Sequence, residues 1–246
     1  MAYLFLSPST QEYNPYATTG NEEYWMNRLA DTMEPYLAAS GINVTRNDPD
    51  GTVGSSVRAS NRGKYDFHLA LHSNAAPTSS AGQVRGIDVY YYPGSIKSRR
   101  MADLLVSALK TVYPLPERVR PVAGGNLYEL RNTTAPAVLI ELGYHDNVAD
   151  AMWIENNLTP IARAIVQAVT AYFGLPFLSP QAVRDATVNT VSGSLNLRAA
   201  PSTGSAILKK LPQNATVTVL SEYNGWYVVR YEDTVGYVLG EYLRFS

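Results

Sequence analysis

Two short, almost wholly apolar segments limit what this chain can fold into. The first, residues 65–74, ends in a polar cluster that includes His72, and in the second, residues 135–147, four aliphatic residues run directly into Glu141. Apolar runs of this length, bounded by proline, glycine and asparagine, are typical of buried parallel strands. Because chemistry in open α/β sheets gathers beyond the carboxyl ends of such strands, we expect the imidazole and the carboxylate to belong to one site.

Strand-like and helical patterns alternate along the chain as far as Gly174. A helical apolar spacing covers residues 22–39, for example, between strand-like runs at residues 3–6 and 42–45. This alternation predicts an α/β fold, with a mostly parallel twisted sheet flanked by helices on both faces. After a proline-containing linker the helical period disappears, and short strands separated by turns predict a small all-β barrel.

The length and composition of the chain agree with a large domain and a small one. We place the first domain at residues 1–174, a linker at 175–186 and the second domain at 187–246. A hydrophobic fraction of 46% supports a substantial core, and a net charge of −1 provides no basic field for nucleic acid. The absence of cysteine excludes a thiol nucleophile, a thiolate zinc site and a disulfide framework.

The sequence also bears on where the protein acts. The apolar start of the chain is too short for a signal peptide and has no basic residue ahead of it. No stretch reaches the roughly 20 apolar residues of a membrane span. We therefore expect a protein that is made in the cytoplasm without its own export signal. For the oligomeric state, a monomer is the default expectation.

His68 and His72 are four residues apart, a spacing that on a helix would place both on one face. A zinc-protease helix also needs a glutamate directly after the first histidine, and that position holds Leu69. On a strand, four residues span about 13 Å, too far for the two imidazoles to share one ion. We therefore assign His72 to the site, as a metal ligand or as an uncoordinated histidine, and interpret His68 as an ordinary core or edge histidine.

Glu141 follows four buried aliphatic residues, where an ionised carboxylate is costly unless it is paired or binds a cation. The plainer alternative is a carboxylate that accepts hydrogen bonds from backbone N–H groups or pairs with Arg131. Partial burial would raise the pKa of Glu141 toward the range that suits a general base.

Glu22 and Glu23 open the first predicted helix. Acidic residues in the first turn interact favourably with the helix dipole, and Asn21 is a suitable N-cap. Helix stability alone can therefore explain both carboxylates, without a functional site.

Four motifs follow one another in a specific order. Residues 21–27 look like a Glu-x-x-x-Asn helix start, 44–48 like L-T-R-x-D, 66–75 like D-L-x-x-S-I-H-A-N-A, and 135–147 like P-A-V-L-V-E-x-G-F-x-S-N. In this order they resemble the zinc-dependent N-acetylmuramoyl-L-alanine amidases of the amidase-3 family, and the resemblance extends to about Gly174.

The resemblance implies a zinc ion held by a His–Glu–His set with an open position for water. It selects Glu23 rather than Glu22 as the carboxylate ligand, and His72 as a histidine ligand. In the family's mechanism the metal lowers the pKa of its bound water, and a further glutamate, here Glu141, takes the water's proton and passes it to the leaving amine. The implied substrate is peptidoglycan, cut between the lactyl group of N-acetylmuramic acid and the first L-alanine of the stem peptide.

The first histidine of the family's zinc site is missing here. It belongs to a D-P-G-H-G-G motif after the first strand, where this chain has the sequence S-P-S-T-Q-E at residues 7–12. An alignment without gaps puts Thr10 at the histidine position, and shifts of one or two residues offer Gln11 or Glu12. We take Gln11 as the residue nearest the metal, although zinc favours imidazole nitrogen over an amide oxygen.

Three motifs near the carboxyl end, at residues 195–202, 225–229 and 236–238, resemble bacterial SH3 domains, which usually hold an enzyme to the cell wall. Together the two resemblances predict a two-domain cell-wall hydrolase of the endolysin or autolysin type. The alternative is a catalytically weak or inactive homologue that acts as a peptidoglycan-binding module.

Overall fold

The computed structural model describes residues 2–245, and in it a six-stranded sheet and six helices occupy residues 3–173. Met1 and Ser246, the outer ends of the predicted domains, lie outside the described residues. The strands are β1 (Tyr3–Pro8), β2 (Asn43–Arg46), β3 (Phe67–Asn74), β4 (Ile87–Tyr91), β5 (Val119–Ala123) and β6 (Ala137–Tyr144). The helices are α1 (Glu22–Ala39), α2 (Val53–Arg62), α3 (Ile96–Leu109), α4 (Tyr128–Asn132), α5 (Val148–Asn156) and α6 (Leu158–Phe173). None of these helices has the length and hydropathy that crossing a membrane requires.

The strands of this sheet lie in the order β2-β1-β3-β6-β4-β5. All neighbouring pairs are parallel except β4 and β6, which are antiparallel, so the predicted mostly parallel sheet is confirmed. The apolar runs of the sequence became β3 and β6, which are neighbours at the centre of the sheet. Their register places His72 directly beside Glu141.

The two faces of the sheet carry different layers. Helices α1, α3 and α6 cover one face, where Leu69 and Leu71 join the large core. Helices α2 and α4 lie on the other face, where Ala70 and Leu139 join a smaller cluster. Because successive side chains of a strand point to opposite faces, His68 and His72 share the α4 side with the alanine between them. The site therefore forms under α4.

The second sheet is antiparallel and has seven strands in the order β13-β7-β10-β11-β12-β8-β9. They are β7 (Arg184–Val188), β8 (Ser194–Arg198), β9 (Ile207–Pro212), β10 (Thr216–Tyr223), β11 (Trp226–Tyr231), β12 (Thr234–Leu239) and β13 (Leu243–Phe245). This agrees with the predicted SH3-like fold. The first of these strands begins at Arg184, inside the predicted linker, because it pairs with β10 and β13 rather than running free.

The SH3-like domain packs against the end of α1. The fully buried Tyr237 donates a hydrogen bond from its hydroxyl to the carbonyl oxygen of Ser40, over 2.8 Å. Asn43 makes two hydrogen bonds to the backbone of Val235: its amide donates to the carbonyl over 3.0 Å, and its oxygen accepts from the N–H over 2.8 Å. These paired polar contacts fix the orientation of β12 against the first domain.

Candidate active site

The first turn of α1 brings a carboxylate to His72. The helix starts after Asn21, whose side chain accepts a hydrogen bond from the backbone N–H of Tyr24 over 2.8 Å, as the predicted N-cap requires. Glu22 is almost completely buried, and its Oε1 lies 2.8 Å from Nδ1 of His72. Its other oxygen accepts a hydrogen bond from the side-chain amide of Asn14 over 2.6 Å. Glu22 thus serves the helix start and also belongs to the site.

Glu23, which the resemblance selects as the ligand, points elsewhere. Its Oε1 accepts a hydrogen bond from the amide of Asn27 over 2.8 Å, and partial burial, followed by the charge of Glu12, raises its pKa. Neighbouring side chains on a helix diverge by roughly 100°, so Glu22 and Glu23 cannot both face β3. In the structure the carboxylate beside His72 is that of Glu22, and not that of Glu23, which the resemblance selects.

The loop after β1 supplies Gln11, whose Nε2 lies 3.2 Å from Nδ1 of His72. Its oxygen accepts hydrogen bonds from Tyr13 and from Asn14, each over 3.1 Å. Of the three alternatives for the missing family histidine, Thr10 and Gln11 line the cleft, whereas Glu12 is exposed. Gln11 places a polar atom within hydrogen-bond distance of His72.

Glu129, for which the sequence motifs predict no role, lies on the other side of the His72 ring. Its Oε2 is 3.1 Å from Nε2 of His72, and its Oε1 is 3.1 Å from Nε2 of His68. His68 is fully buried, as predicted for a core histidine, but a single carboxylate connects it to His72. The five-residue helix α4 that carries Glu129 is too short to show a helical period in the sequence.

His72 is held between two carboxylates. Burial alone would lower its pKa, but the hydrogen bonds to Glu129 and Glu22 outweigh burial and raise the pKa well above its usual value. Burial alone would raise the pKa of Glu129, but the hydrogen bonds from His68 and His72 outweigh burial and hold the pKa far below its usual range. For Glu22, too, burial alone would raise the pKa, but the hydrogen bond with His72 outweighs burial and the pKa is lowered. With no cation bound, the two carboxylates therefore favour the positively charged form of His72.

Glu141 stands apart from this network. Its Oε2 is buried and has no hydrogen-bond partner among the residues that the structure describes, so neither a backbone N–H nor Arg131 pairs with this oxygen. Burial raises the pKa of Glu141 to about 7, although the nearby positive charge of His72 opposes the rise. A buried polar atom without a partner is uncommon and calls for an explanation such as an unseen water, an ion or a catalytic role.

A cleft of about 470 Å³ opens onto these side chains. Gln11, His72, Glu129 and Glu141 all contribute to its lining. Tyr13 and Tyr128 also line it, with 76% and 46% of their surfaces exposed. The cleft therefore combines a charged floor with aromatic side chains that a ligand can reach.

Comparison with known protein families identifies both parts of the chain. Residues 10–171, the larger part of the chain, match the protein family described as N-acetylmuramoyl-L-alanine amidase. The chain belongs to this amidase family. Residues 193–244 match the bacterial SH3 domain family, in the region of the second sheet.

Similar proteins carry related names. The chain is 32% identical over 149 residues to a probable cell wall amidase, LytH, of Staphylococcus aureus, covering 59% of this chain and 48% of that protein. An uncharacterized cell wall amidase of Bacillus anthracis is 32% identical over 113 residues, which cover 43% of this chain and 20% of that protein. The chain therefore spans half or less of the length of these relatives.

Solved structures show the same fold. The N-acetylmuramoyl-L-alanine amidase of Clostridium difficile 630 superposes with a TM-score of 0.63 at 21% identity, over 70% of this chain and 97% of that one. The catalytic domain of CwlV, an amidase of Bacillus (Paenibacillus) polymyxa, gives a TM-score of 0.60 at 21% identity, over 72% of this chain and all of that one.

Amidases of this family are generally zinc-dependent. Whether zinc fits here depends on which metal-binding side chains the amidase domain brings together. Within residues 2–245, no group of three or more His, Asp or Glu side chains is arranged to hold a metal ion. Two strong donors do meet, since Glu22 Oε1 and His72 Nδ1 are both buried and 2.8 Å apart. Gln11 adds an amide at the same point, with its nitrogen toward His72; once a half-turn presents the amide oxygen, the set fits a cation with one neutral ligand in place of an imidazole.

Proposed function

We propose that the chain hydrolyses the amide bond between N-acetylmuramic acid and the first L-alanine of the peptidoglycan stem peptide. The observation that carries the proposal is the Glu141 carboxylate, which lines the cleft and leaves Oε2 without a partner among the described side chains. A carboxylate in this situation is available to accept a proton from a water molecule. Its pKa of about 7 is close to the value at which a general base works best near neutral pH.

The reaction needs proton transfer in two directions, and one carboxyl group can perform both. Glu141 takes a proton from the attacking water while the water oxygen bonds to the carbonyl carbon of the lactyl group. As the C–N bond breaks, Glu141 gives that proton to the departing nitrogen. The products are a lactyl carboxylic acid, which releases the remaining proton of the water to become a carboxylate, and a stem peptide whose L-alanine has a free amino group.

We propose further that Gln11, Glu22 and His72 hold a zinc ion beside Glu141. When bound, zinc lowers the pKa of a water ligand and polarises the scissile carbonyl. Gln11 directs its nitrogen toward His72, so binding through its oxygen requires a half-turn of the amide. Because an amide oxygen is a poorer zinc donor than imidazole, we expect a lower affinity than a His–Glu–His set provides.

The SH3-like domain is proposed to hold the enzyme to the cell wall. A second cavity, of about 490 Å³, lies on this domain and is lined by residues that include Asn196, Arg198, Trp226 and Tyr242. A partly exposed cationic and aromatic lining of this kind suits a peptide or sugar ligand. We propose that the protein acts on the cell wall as a monomer, after its release or export.

Digestion of purified peptidoglycan with added zinc tests the activity. Mass spectrometry of the soluble products should find stem peptides that begin with a free L-alanine. The Glu141→Gln variant should release them about 10² to 10⁴ times more slowly. A matched Glu23→Gln variant, which removes a carboxylate outside the cleft, should cut at the rate of the unaltered chain.

Two outcomes would contradict the proposal. If the wall stays intact while the protein remains bound to it, the chain is a peptidoglycan-binding module. If Glu141→Gln cuts as fast as the unaltered chain, the proton carrier is another group.

A further inference from the structure

A continuous series of hydrogen bonds runs through the buried side of the site. Nδ1 of His68 lies 3.0 Å from the hydroxyl of Ser60, and its Nε2 lies 3.1 Å from Glu129 Oε1. Ser7 donates a hydrogen bond to the same Glu129 oxygen over 2.7 Å. The second oxygen of Glu129 then faces Nε2 of His72 at 3.1 Å. Glu129 thus has defined partners on both of its oxygens.

This arrangement is expensive to build. Glu129 is 3% exposed and His68 is fully buried, and burying a carboxylate costs several kcal/mol, on the order of the whole stability of a small domain, unless hydrogen bonds offset it. An apolar pair at these two positions would fill the space under α4 without that cost. The carboxylate and its supporting imidazole therefore require an explanation beyond packing.

The explanation lies in the two nitrogens of His72. Because Glu129 Oε2 can only accept, Nε2 of His72 must carry a proton to bond with it. Nδ1 is then the nitrogen presented to Glu22 and Gln11, on the side where a cation would be held. The hydrogen bond that one ring nitrogen makes determines which role the other can play.

We propose that Glu129 is a positioning residue, which holds His72 by its Nε2 so that Nδ1 is the nitrogen that binds the metal. Ser7 and His68 fix Glu129 in turn, and the imidazole ring cannot swing away without breaking this series. A carboxylate behind a metal-binding histidine orients the ring and strengthens it as a ligand. The inference rests on the proposed function, because it concerns the same site.

Nitrogen-15 NMR of the unaltered full-length chain tests this directly. The chain has three histidines, and His145 can be assigned from a His145→Gln spectrum. On addition of zinc, the proposal expects the Nδ1 resonance of His72 to shift as that atom binds the metal, while Nε2 keeps its proton. Loss of the Nε2 proton on zinc binding would overturn the proposal, because Nε2 would then be the ligand.

A variant pair measures the size of the effect. Glu129→Gln should lower zinc affinity about 10- to 100-fold and change the His72 nitrogen resonances. Glu12→Gln removes the same charge from an exposed position near the cleft and should change neither. A folded Glu129→Gln variant with unaltered zinc affinity would contradict the proposal, and if this variant does not fold, the spectrum of the unaltered chain decides.

Failure of this inference can be told apart from failure of the proposed function. The nitrogen spectra and the zinc affinity report on the His72 ring whether or not any amide bond is cut. The peptide products report on the reaction whichever nitrogen binds the metal.

Discussion

Glu22 Oε1 lies 2.8 Å from His72 Nδ1, although the two residues are 50 positions apart in the chain. The contact joins the first turn of α1 to the carboxyl end of β3 and is almost completely buried. Glu23, the next residue, bonds to Asn27 on its own helix instead. This pair of adjacent carboxylates, one inside the site and one outside it, provides a matched experiment.

We predict that Glu22→Gln weakens zinc binding and that Glu23→Gln does not. The first change replaces a carboxylate with a neutral amide at the proposed ligand position, and we expect zinc affinity to fall at least about 10-fold. The second change removes the same charge one residue away. Competition with a zinc-binding dye measures both affinities. Equal losses in the two variants would mean that the effect is one of charge and not of coordination.

Gln11→His should strengthen zinc binding. The amide of Gln11 lies beside His72, and an imidazole at this position would complete the His–Glu–His set that zinc favours. We expect the affinity measured by dye competition to rise at least about tenfold. Tyr13→Phe, which removes one hydrogen bond to Gln11 and adds no ligand, is the control and should leave the affinity close to that of the unaltered chain. No gain with Gln11→His would place the third ligand elsewhere.

Much of the site follows from the sequence, for a physical reason. Apolar runs that end in His72 and Glu141 predict buried parallel strands, and parallel strands deliver their carboxyl ends to the same edge of a sheet. The register of β3 and β6 makes these two residues direct neighbours. The loop position of Gln11 was likewise predicted from its place in the motif order.

Other parts could not be predicted from the sequence. The choice between Glu22 and Glu23 depends on how α1 is rotated about its axis, which a sequence motif fixes only within a residue or so. Glu129 lies on a helix of five residues and meets His68 and His72 only through the tertiary fold. A buried carboxylate whose partners are about 60 positions away leaves no local pattern in the sequence.

The raised pKa of Glu141 predicts a pH-dependent stability, best measured with a chelator present to keep the site free of metal. Below pH 4.5, the ordinary pKa of the group, the carboxyl is protonated in both states and contributes no difference. Between pH 4.5 and about 7 the unfolded chain releases this proton more readily than the folded one, so the free energy of unfolding falls as pH rises. The loss approaches about 3 kcal/mol at pH 8.

Glu141→Gln removes this loss, because an amide does not ionise. The variant should match the unaltered chain near pH 4 and exceed its free energy of unfolding by about 3 kcal/mol at pH 8, in urea titrations at both pH values. Glu222→Gln, at an exposed position of β10, is the control for any general effect of removing one carboxylate. A constant difference between the Glu141 variant and the unaltered chain at both pH values would mean that Glu141 titrates as an ordinary carboxyl.

The contact between the two domains yields a final prediction, at Gly41. This glycine has a φ of +76°, and a Cβ atom there would lie 2.4 Å from the ring of Tyr237. Gly174 has a similar φ of +69°, but a Cβ there would meet nothing within 4 Å among the described residues. Alanine at either position bears the backbone strain of a positive φ, about 1 kcal/mol. Only Gly41→Ala also displaces Tyr237, which bonds to Ser40.

Gly41→Ala should therefore loosen the SH3-like domain, and Gly174→Ala should not. The backbone N–H of Val235 reports on this contact, because it donates to the side chain of Asn43 in the first domain over 2.8 Å. We expect its hydrogen exchange to be at least about tenfold faster in Gly41→Ala than in Gly174→Ala, since a displaced Tyr237 leaves this bond open to water. Equal exchange rates in the two variants would show that Tyr237 can shift without separating the domains, and that the bonds of Asn43 hold them together.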